Sequence, residues 1–526
     1  MIYPDKKEEL FFGRENYPFY DSIGVVRPRR DTYVLNRKGK VRQYGAVDEC
    51  EEKLARPGFV KGGTNWLKDA AGQKITTTLF GKMMTLAVNK FALLDSFGMG
   101  IEMEGGKPGW NDAMNGLPGL FGSSMPETME LKRLVDFMVS VLPAEGEMTL
   151  PAELCDFMRA VYDTLQEDLS DYDYWDKVAT LRENYRETVK FQVSGDKPVV
   201  TFGELEKVLK AFALKLQTAC DKALELGEGI MPTYFTYEAD SFEEVKNADG
   251  TARISPYGLP SVQVHSFRLV KVPFFLEGPA KMLAACQEKD RPTAKEMYAK
   301  IKETDIYDKK LKMYKTSESI DKMSIENGRV RAFTPGWLER ESIFLHMEYK
   351  YFLGLFKAGL YEEFYEAIED ALIPFQKPEM YGRSILENSS FLASSANPDP
   401  SVHGQGFVAR LSGSTVEMLS MWIGMFLGNG GFKLEEDELR FVFDPKLSAK
   451  MFDDAGEAAF TLCGSCEVIY HNAGGKATFG EDAAKVKRIE YVENEVRIAA
   501  ANTYLCGEEA RKVREGKITQ IHVFLA

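Results

Sequence analysis

Residues 201–227, TFGELEKVLKAFALKLQTACDKALELG, carry the pattern that decides the fold. Thr201 and Glu204 have the spacing of an N-terminal capping box, and Gly227 stands where a helix end favours a residue with positive φ. Between them, apolar side chains recur every three or four residues, which predicts an amphipathic helix. These side chains are Leu205, Leu209, Phe212, Leu216, Cys220 and Leu224.

Helical patterns of the same kind extend on both sides of this segment. They cover most of residues 81–228 and return at about 276–372 and at 415–427. Short connections between long helices favour antiparallel neighbours. The helix at 415–427 is apolar nearly all round, so we expect it to be buried on every side. Residues 81–430 are therefore expected to form a helical toroid or bundle.

Strand patterns occupy the rest of the chain. Residues 1–80 are irregular with short strands, one pair of which is expected around Gly39. Residues 229–275 are rich in β-branched and aromatic side chains and predict an excursion of strands and loops between helices. Residues 431–526 alternate apolar and polar side chains, which predicts a C-terminal β-sandwich. The expected fold is thus mainly α with β.

Composition excludes several classes of function. The chain has 526 residues and a net charge of −14, which disfavours binding to nucleic acid and to anionic membranes. No apolar run reaches the roughly 18 residues of a membrane span. The first residues, MIYPDKKEEL, do not have the pattern of a signal peptide. Seven dispersed cysteines are typical of reduced thiols, so we expect a cytoplasmic protein.

The first candidate site lies in residues 102–131, EMEGGKPGWNDAMNGLPGLFGSSMPETMEL. Its glycines allow a ligand to approach the backbone closely. Trp110 offers a flat apolar face for a sugar ring, and Asn111 offers hydrogen bonds to hydroxyls. Asp112 could act as a general acid. The alternative is a turn-rich segment in which Asp112 is only the N-cap of a helix.

A second candidate site lies in residues 333–352, FTPGWLERESIFLHMEYKYF. Arg340 and His346 follow a Pro-Gly turn and could bind an anion near a helix N-terminus. The alternative is a solvated first turn, with His346 packed in the core.

A third candidate site, residues 401–422, has the sequence SVHGQGFVARLSGSTVEMLSMW. Hydroxyl side chains and free backbone N–H groups at a helix N-terminus form an anion site; the residues concerned are Ser412, Gly413, Ser414 and Thr415. The same loop contains His403, Gln405 and Arg410. An ordinary Ser/Thr helix cap is the alternative. The Cys463-Gly-Ser-Cys466 pair has no second pair at zinc-ribbon spacing, so we predict no metal site.

Together, and in this order, these segments resemble the inverting β-glucoside phosphorylases of glycoside hydrolase family ninety-four. The resemblance rests on GWNDAMN from Gly109, PGWLERESIFLH from Pro335 and LSGST from Leu411, which is followed by a helix containing Trp422. It extends from about residue 75 to the end. It implies an (α/α)6 barrel, complete or incomplete, followed by a β-sandwich.

The resemblance also implies a reaction: phosphorolysis, with inversion, of a β-linked gluco-oligosaccharide to α-glucose 1-phosphate. Inorganic phosphate is the co-substrate, and no metal or organic cofactor is needed. Asp112 would be the acid. The implied phosphate site comprises His346, Arg340, Ser412, Gly413, Ser414 and Thr415. The implied sugar site comprises Trp110, Asn111, Trp337, Glu339, His403 and Gln405.

The chain departs from the family in two ways. Gly109 replaces the first aspartate of the family's motif, so Asp112 is the only acid that the motif retains. Few residues precede Asp112, so we expect a homodimer or an N-terminal half supplied by another chain. Apolar side chains of an exposed edge would then face the missing half; the expected ones are Phe80, Met83, Leu86 and Phe91.

Two other functions remain open at this point. An inverting glycoside hydrolase would need a second carboxylate, for which Glu238, Glu339 and Glu341 are candidates. A non-catalytic assembly subunit would need neither acid nor phosphate.

Overall fold

The computed structural model describes residues 2–408 and 413–526. Helix and strand coexist in it, with 39% of residues helical and 23% in strands, and the sheets are small. The expected mixture of helix and strand is therefore confirmed.

Within the described ranges, ten helices have nine or more residues. They are α1 Leu79–Phe91, α2 Met125–Val141, α3 Ala152–Leu165, α4 Asp171–Thr188, α5 Phe202–Leu226, α6 Glu277–Ala285, α7 Arg291–Glu303, α8 Leu345–Lys357, α9 Tyr361–Ala371 and α10 Gly413–Leu427. Shorter helices cover Lys7–Phe12, Arg29–Thr32, Glu51–Leu54, Pro378–Tyr381 and Glu508–Arg514.

Helix α5 matches the segment from which the fold was predicted, although its ends differ in detail. The Thr201 hydroxyl accepts a hydrogen bond from the Glu204 N–H at 3.1 Å. The Glu204 carboxylate binds Arg159 on α3 instead of completing the capping box. Gly227 has a φ of −87°, and the left-handed residues are Glu228 and Gly229. The prediction of positive φ at Gly227 was therefore wrong by one residue.

Short strand pairs organise residues 1–80. Tyr33–Leu35 pairs with Val41–Gln43 across a turn in which Gly39 has a φ of 72°, as the sequence predicted. Further pairs join Tyr17–Pro18 to Thr76–Thr77 and Gly24–Val26 to Val47–Glu49. The short strands elsewhere pair Glu147–Thr149 with Val199–Thr201 and Tyr307–Asp308 with Met313–Tyr314.

Helix α1 turns its apolar side chains into the protein. Phe80 and Phe91 are fully buried, in one core with side chains from α2, α3, α4 and α5. The Phe91 ring stacks on Phe212 with 3.7 Å between centroids. Leu86 lies on the other face of α1 and is 53% exposed. The expectation that Phe80 and Phe91 face a missing partner was therefore wrong, because α2 to α5 cover them.

The excursion between helices contains a long hairpin. Strands β1 (Tyr234–Glu244) and β2 (Val262–Lys271) pair antiparallel. The start of β1 also pairs with Ser123–Ser124, which pairs in turn with Ile101–Glu102. These two short strands hold the ends of the loop 103–122 side by side, and that loop carries Trp110 to Asp112.

The C-terminal region contains two sheets. One joins β3 Gly431–Glu435, β4 Glu438–Val442 and β9 Tyr504–Cys506; the other joins β5 Glu457–Leu462, β6 Cys466–His471, β7 Val486–Glu493, β8 Val496–Ala499 and β10 Ile518–Leu525. Aromatic contacts connect Phe443, beside the first sheet, to Tyr470 on the second, and Tyr470 to Phe426 on α10. The C-terminal strands thus share a core with the helical region.

Helix α10 is only partly covered. Met421, Met425 and Phe426 are buried, and α10 packs on α8. Its opposite face is exposed, with Val416 at 62%, Leu419 at 59%, Trp422 at 42% and Ile423 at 60%; we call these four residues the α10 stripe. The prediction of burial on all sides was therefore wrong. In the described part of the chain, no helix is both long enough and apolar enough to cross a membrane.

Candidate functional site

Trp110, Asn111 and Asp112 lie in the middle of the loop 103–122. Asn111 is the N-cap of a short 3-10 helix, Asp112–Met114, and its side-chain oxygen accepts a hydrogen bond from the Ala113 N–H at 3.1 Å. Asp112 is exposed and follows the cap. The capping role that the sequence left open for Asp112 therefore belongs to Asn111, and the carboxylate of Asp112 faces outward.

Trp110 is anchored at one edge and open elsewhere. Its indole N–H donates a hydrogen bond of 2.7 Å to the Glu277 carboxylate, and the residue is 48% exposed. Glu277, the first residue of α6, is only 6% exposed. Burial raises the pKa of Glu277 above its ordinary value, against the opposing effects of Trp110, Lys350 and Lys281. The chain has thus placed a buried carboxyl beside the predicted sugar-binding ring.

Tyr234 lies beside the same carboxyl. It lines the small hollow that Trp110, Asn111 and Glu277 also line. Tyr234 is 3% exposed and begins strand β1. Burial first, and then the Glu277 charge, raise the pKa of this tyrosine well above its ordinary value, so its hydroxyl remains neutral.

His346 and Gly413 meet at the start of α8 and α10. A methyl group on Gly413 would lie 2.0 Å from His346 Nε2, so only glycine allows this approach. His346 Nε2 also lies 3.8 Å from the Glu417 carboxylate, one turn into α10. Burial acts to raise the pKa of Glu417, but His346, Lys350 and Lys357 outweigh it and lower that pKa.

Asn388 joins the two hydroxyl side chains at the start of α10. Its Nδ2 donates to Ser414 Oγ at 2.6 Å and approaches Thr415 Oγ at 3.4 Å. Ser414 is fully buried and Thr415 is exposed. Ser412 and Arg410, which the sequence also placed here, lie outside the described residues.

Phe344 brings the two halves of the site together. Its ring centroid lies 5.8 Å from the Trp110 ring and 5.9 Å from the His346 ring. It belongs to a three-stranded sheet of Ile343–Phe344, Phe391–Leu392 and Gly406–Phe407. Residues 386–407, which lead into the third candidate site, are thereby fixed to the segment before His346.

Trp337 belongs to a row of stacked rings. It stacks on Phe407 with 3.5 Å between centroids and parallel planes, and Phe407 contacts Phe391, which contacts Phe344. Glu339 lines a small hollow together with Trp110 and Asn111. Trp337 is thus linked to Trp110 through the rings of Phe407, Phe391 and Phe344. Glu339 lies beside Trp110 itself.

The remaining predicted residues are engaged in local structure. Arg340 is buried, and its guanidinium donates to Asp321 and to the carbonyls of Arg331 and Phe333. His403 bonds through Nδ1 to the Lys310 ammonium and through Nε2 to the Asn397 carbonyl. Because an ammonium only donates, Nε2 carries the proton.

Gln405 donates from its side-chain amide to the Ser401 carbonyl.

The three carboxylates proposed for a hydrolase differ in their burial and in their partners. Glu238 is paired with Arg42 at 3.0 Å. Glu341 is buried, which raises its pKa, beside Arg340. Glu339 therefore remains the one of the three that lines the hollow at Trp110.

The hollow at this cluster is small. It has a volume of 10 Å³, about enough for one water molecule. A ligand larger than a water molecule would therefore not fit inside the hollow. A separate cavity of 1020 Å³ lies between residues 19–31, 48–53 and 183–190. Much of its charged lining is paired internally, as in Lys53 with Asp21 and Arg27 with Asp48.

Sequence patterns did not reveal Glu277, Tyr234, Asn388 or Glu417 as members of the site. Glu277 resembles any acidic residue in the first turn of a helix, where the helix dipole favours it.

Among residues 2–408 and 413–526, no group of three potential metal ligands occurs. No protein-family model matches the chain, and no curated protein matches its sequence.

Proposed function

We propose that the chain is a glycoside phosphorylase. It would cleave a β-glucosidic bond of a gluco-oligosaccharide with inorganic phosphate, invert the anomeric centre and release α-glucose 1-phosphate. The proposal includes the helical arrangement that the resemblance implies, an (α/α)6 barrel or part of one followed by a β-sandwich. The supporting observation is that Phe344 contacts both Trp110, beside Asp112, and His346, beside Gly413.

The proposed chemistry needs one acid and one anion site. A phosphate oxygen forms a bond to the anomeric carbon from the face opposite the leaving oxygen, and the carbon–oxygen glycosidic bond breaks. Asp112 donates its proton to the leaving oxygen. The N-terminus of α10, with Gly413 and Thr415, supplies backbone and hydroxyl donors for phosphate, and His346 lies against it. Trp110 supports the sugar ring from its exposed face.

A panel of β-1,2-, β-1,3- and β-1,4-linked gluco-oligosaccharides, with and without phosphate, tests the proposal. We expect α-glucose 1-phosphate only with phosphate, and a loss of about 10²–10⁴-fold in Asp112→Asn because a general acid is removed. Asp454→Asn, at an exposed aspartate of the C-terminal region, is the control and should keep full activity. Glucose release without phosphate would indicate a hydrolase, and wild-type turnover in Asp112→Asn would remove Asp112 from the role.

A non-catalytic assembly subunit is the second candidate function. The α10 stripe favours it, because contiguous apolar surface on a protein usually marks an interface. This alternative predicts that the chain binds oligosaccharide but releases no sugar phosphate at any phosphate concentration. Sedimentation of the purified chain, measured alongside the activity panel, separates the two: an active monomer contradicts the assembly role.

A further inference from the structure

Trp110, two residues before Asp112, is tied to a buried carboxyl. Its indole N–H donates to the Glu277 carboxylate at 2.7 Å, and Tyr234 lines the same hollow as Trp110, Asn111 and Glu277. Asn111 caps the short helix that Asp112 begins. The direction of the Asp112 carboxylate therefore depends on the residues immediately before it, and the position of Trp110 depends on Glu277.

The anchoring carboxyl lies where two regular elements meet and not in a loop. Tyr234 opens β1, where it pairs with Ser124, and Glu277 opens α6. The Gly278 N–H donates to the Thr233 hydroxyl at 2.8 Å, so the start of the strand and the start of the helix are bonded together. A side chain held from two such elements gives a more exact position than one held by a loop.

Burial makes this connection expensive to break. Glu277 is 6% exposed and Tyr234 is 3% exposed. Removing the acceptor would leave the Trp110 N–H without its partner beside a buried side chain, which costs free energy. The Trp110–Asp112 segment would move to recover this bond from water.

We propose that Glu277 is a positioning residue that holds the Trp110 indole by its N–H edge, leaves its ring face open to a sugar, and thereby sets the direction of the Asp112 carboxylate. The expected effect of Glu277 on turnover rests on the proposed phosphorylase function. Its effect on the position of the Trp110 indole is independent of that function.

Two substitutions at Glu277 separate position from charge. Glu277→Gln keeps an oxygen that accepts from the indole, whereas Glu277→Met has a similar length but only a weakly accepting sulfur. We expect the kcat of Glu277→Met to fall about 100-fold, as a misplacement of roughly 1 Å produces, with a much smaller change in the KM for phosphate. Glu277→Gln should stay within a few-fold of wild type. Tyr234→Phe, which removes the hydroxyl of a side chain that lines the hollow with Glu277 and Asn111, is the second variant should Glu277→Met fail to fold.

A spectroscopic measurement makes the test independent of activity. The emission of Trp110 is obtained as the difference between each protein and its Trp110→Phe counterpart. In Glu277→Met this emission should shift and its quenching by acrylamide should rise, while Glu277→Gln should resemble wild type. Glu348→Gln is the matched control, because Glu348 is also a fully buried carboxyl on a helix but bonds to the Tyr314 N–H.

The outcomes are distinct. A shift of the Trp110 emission in Glu277→Met together with a retained signal in Glu277→Gln supports the proposal, even if the wild type releases no sugar phosphate. Unchanged Trp110 emission and unchanged turnover in Glu277→Met overturn it. An equal loss in Glu277→Gln and Glu277→Met also overturns it, because the charge and not the position would then matter.

Discussion

The contact between Gly413 and His346 allows a sharp perturbation of the proposed phosphate site. In Gly413→Ala, the new methyl group would lie 2.0 Å from His346 Nε2, whereas ordinary contacts begin at 3.4 Å. The imidazole or the start of α10 must therefore move by 3.4 − 2.0 = 1.4 Å. Helix propensity alone would favour alanine over glycine by about 1 kcal/mol. A loss of function would thus come from the displacement and not from a weaker helix.

The expected magnitude follows from how steeply anion binding and catalysis depend on geometry. A displacement of about 1 Å at a reacting group typically costs about 100-fold. At a phosphate concentration 100 times the wild-type Kd, phosphate stabilises the protein by about 2.7 kcal/mol. With a Kd 100-fold higher, the same concentration would contribute only about 0.4 kcal/mol. Thermal unfolding with and without phosphate measures this difference, and initial rates measure the apparent KM for phosphate.

The control for Gly413→Ala is Gly203→Ala. Gly203 lies in the first turn of α5, and a methyl group there would meet no atom within 4 Å. It should retain both the phosphate-dependent stabilisation and the activity of wild type. The reasoning is refuted if Gly413→Ala folds and is stabilised by phosphate as strongly as wild type, because His346 and Gly413 would then not contribute to an anion site.

Two further predictions concern stability and pH. Burial raises the pKa of Glu348 from its ordinary 4.5 to about 8, so the folded state binds the proton more tightly and stability should fall as pH rises from about 4.5 to 8. Urea unfolding at pH 5.5 and 7.5 measures this contribution as a difference between proteins: as the pH rises, wild type should lose more stability, or gain less, than Glu348→Gln, and equal changes would contradict the assignment. Burial, Arg497 and His471 lower the pKa of His522, so the unfolded state binds the proton first and the contribution of His522 to stability should fall as pH falls through about 6.5. Between pH 7.5 and 5.5, wild type should therefore lose more stability, or gain less, than His522→Gln, and equal changes would place the acid sensitivity elsewhere.

Local patterns predicted many of the individual elements. The periodicity of residues 201–227 predicts α5 because a buried helical face requires apolar side chains at that spacing, and Gly39 predicts a turn because its φ of 72° favours glycine. Both requirements act within a few residues of the chain. The β-branched and aromatic content of residues 229–275 likewise predicts strands, and β1 and β2 form there.

The predictions of burial and exposure were wrong where they depend on whether another helix packs against the residue. The composition of α10 predicted burial on all sides, but α8 covers only one face and the α10 stripe is exposed. Apolar side chains of α1 were expected at an open edge, but α2 to α5 cover Phe80 and Phe91. Composition shows that a side chain favours burial, and it does not show whether a neighbour is present to bury it.

The sequence by itself determined the chemistry available to this protein: a tryptophan, an amide and a carboxylate in succession, and a glycine with hydroxyl residues before a helix. Those groups are side chains of short, continuous segments. Only the tertiary structure decided that Phe344 contacts both Trp110 and His346, that Gly413 lies against that histidine, and that Glu277 anchors the indole. These contacts join segments far apart in the chain, where the packing of a common core sets the distances and local pattern carries no information about them.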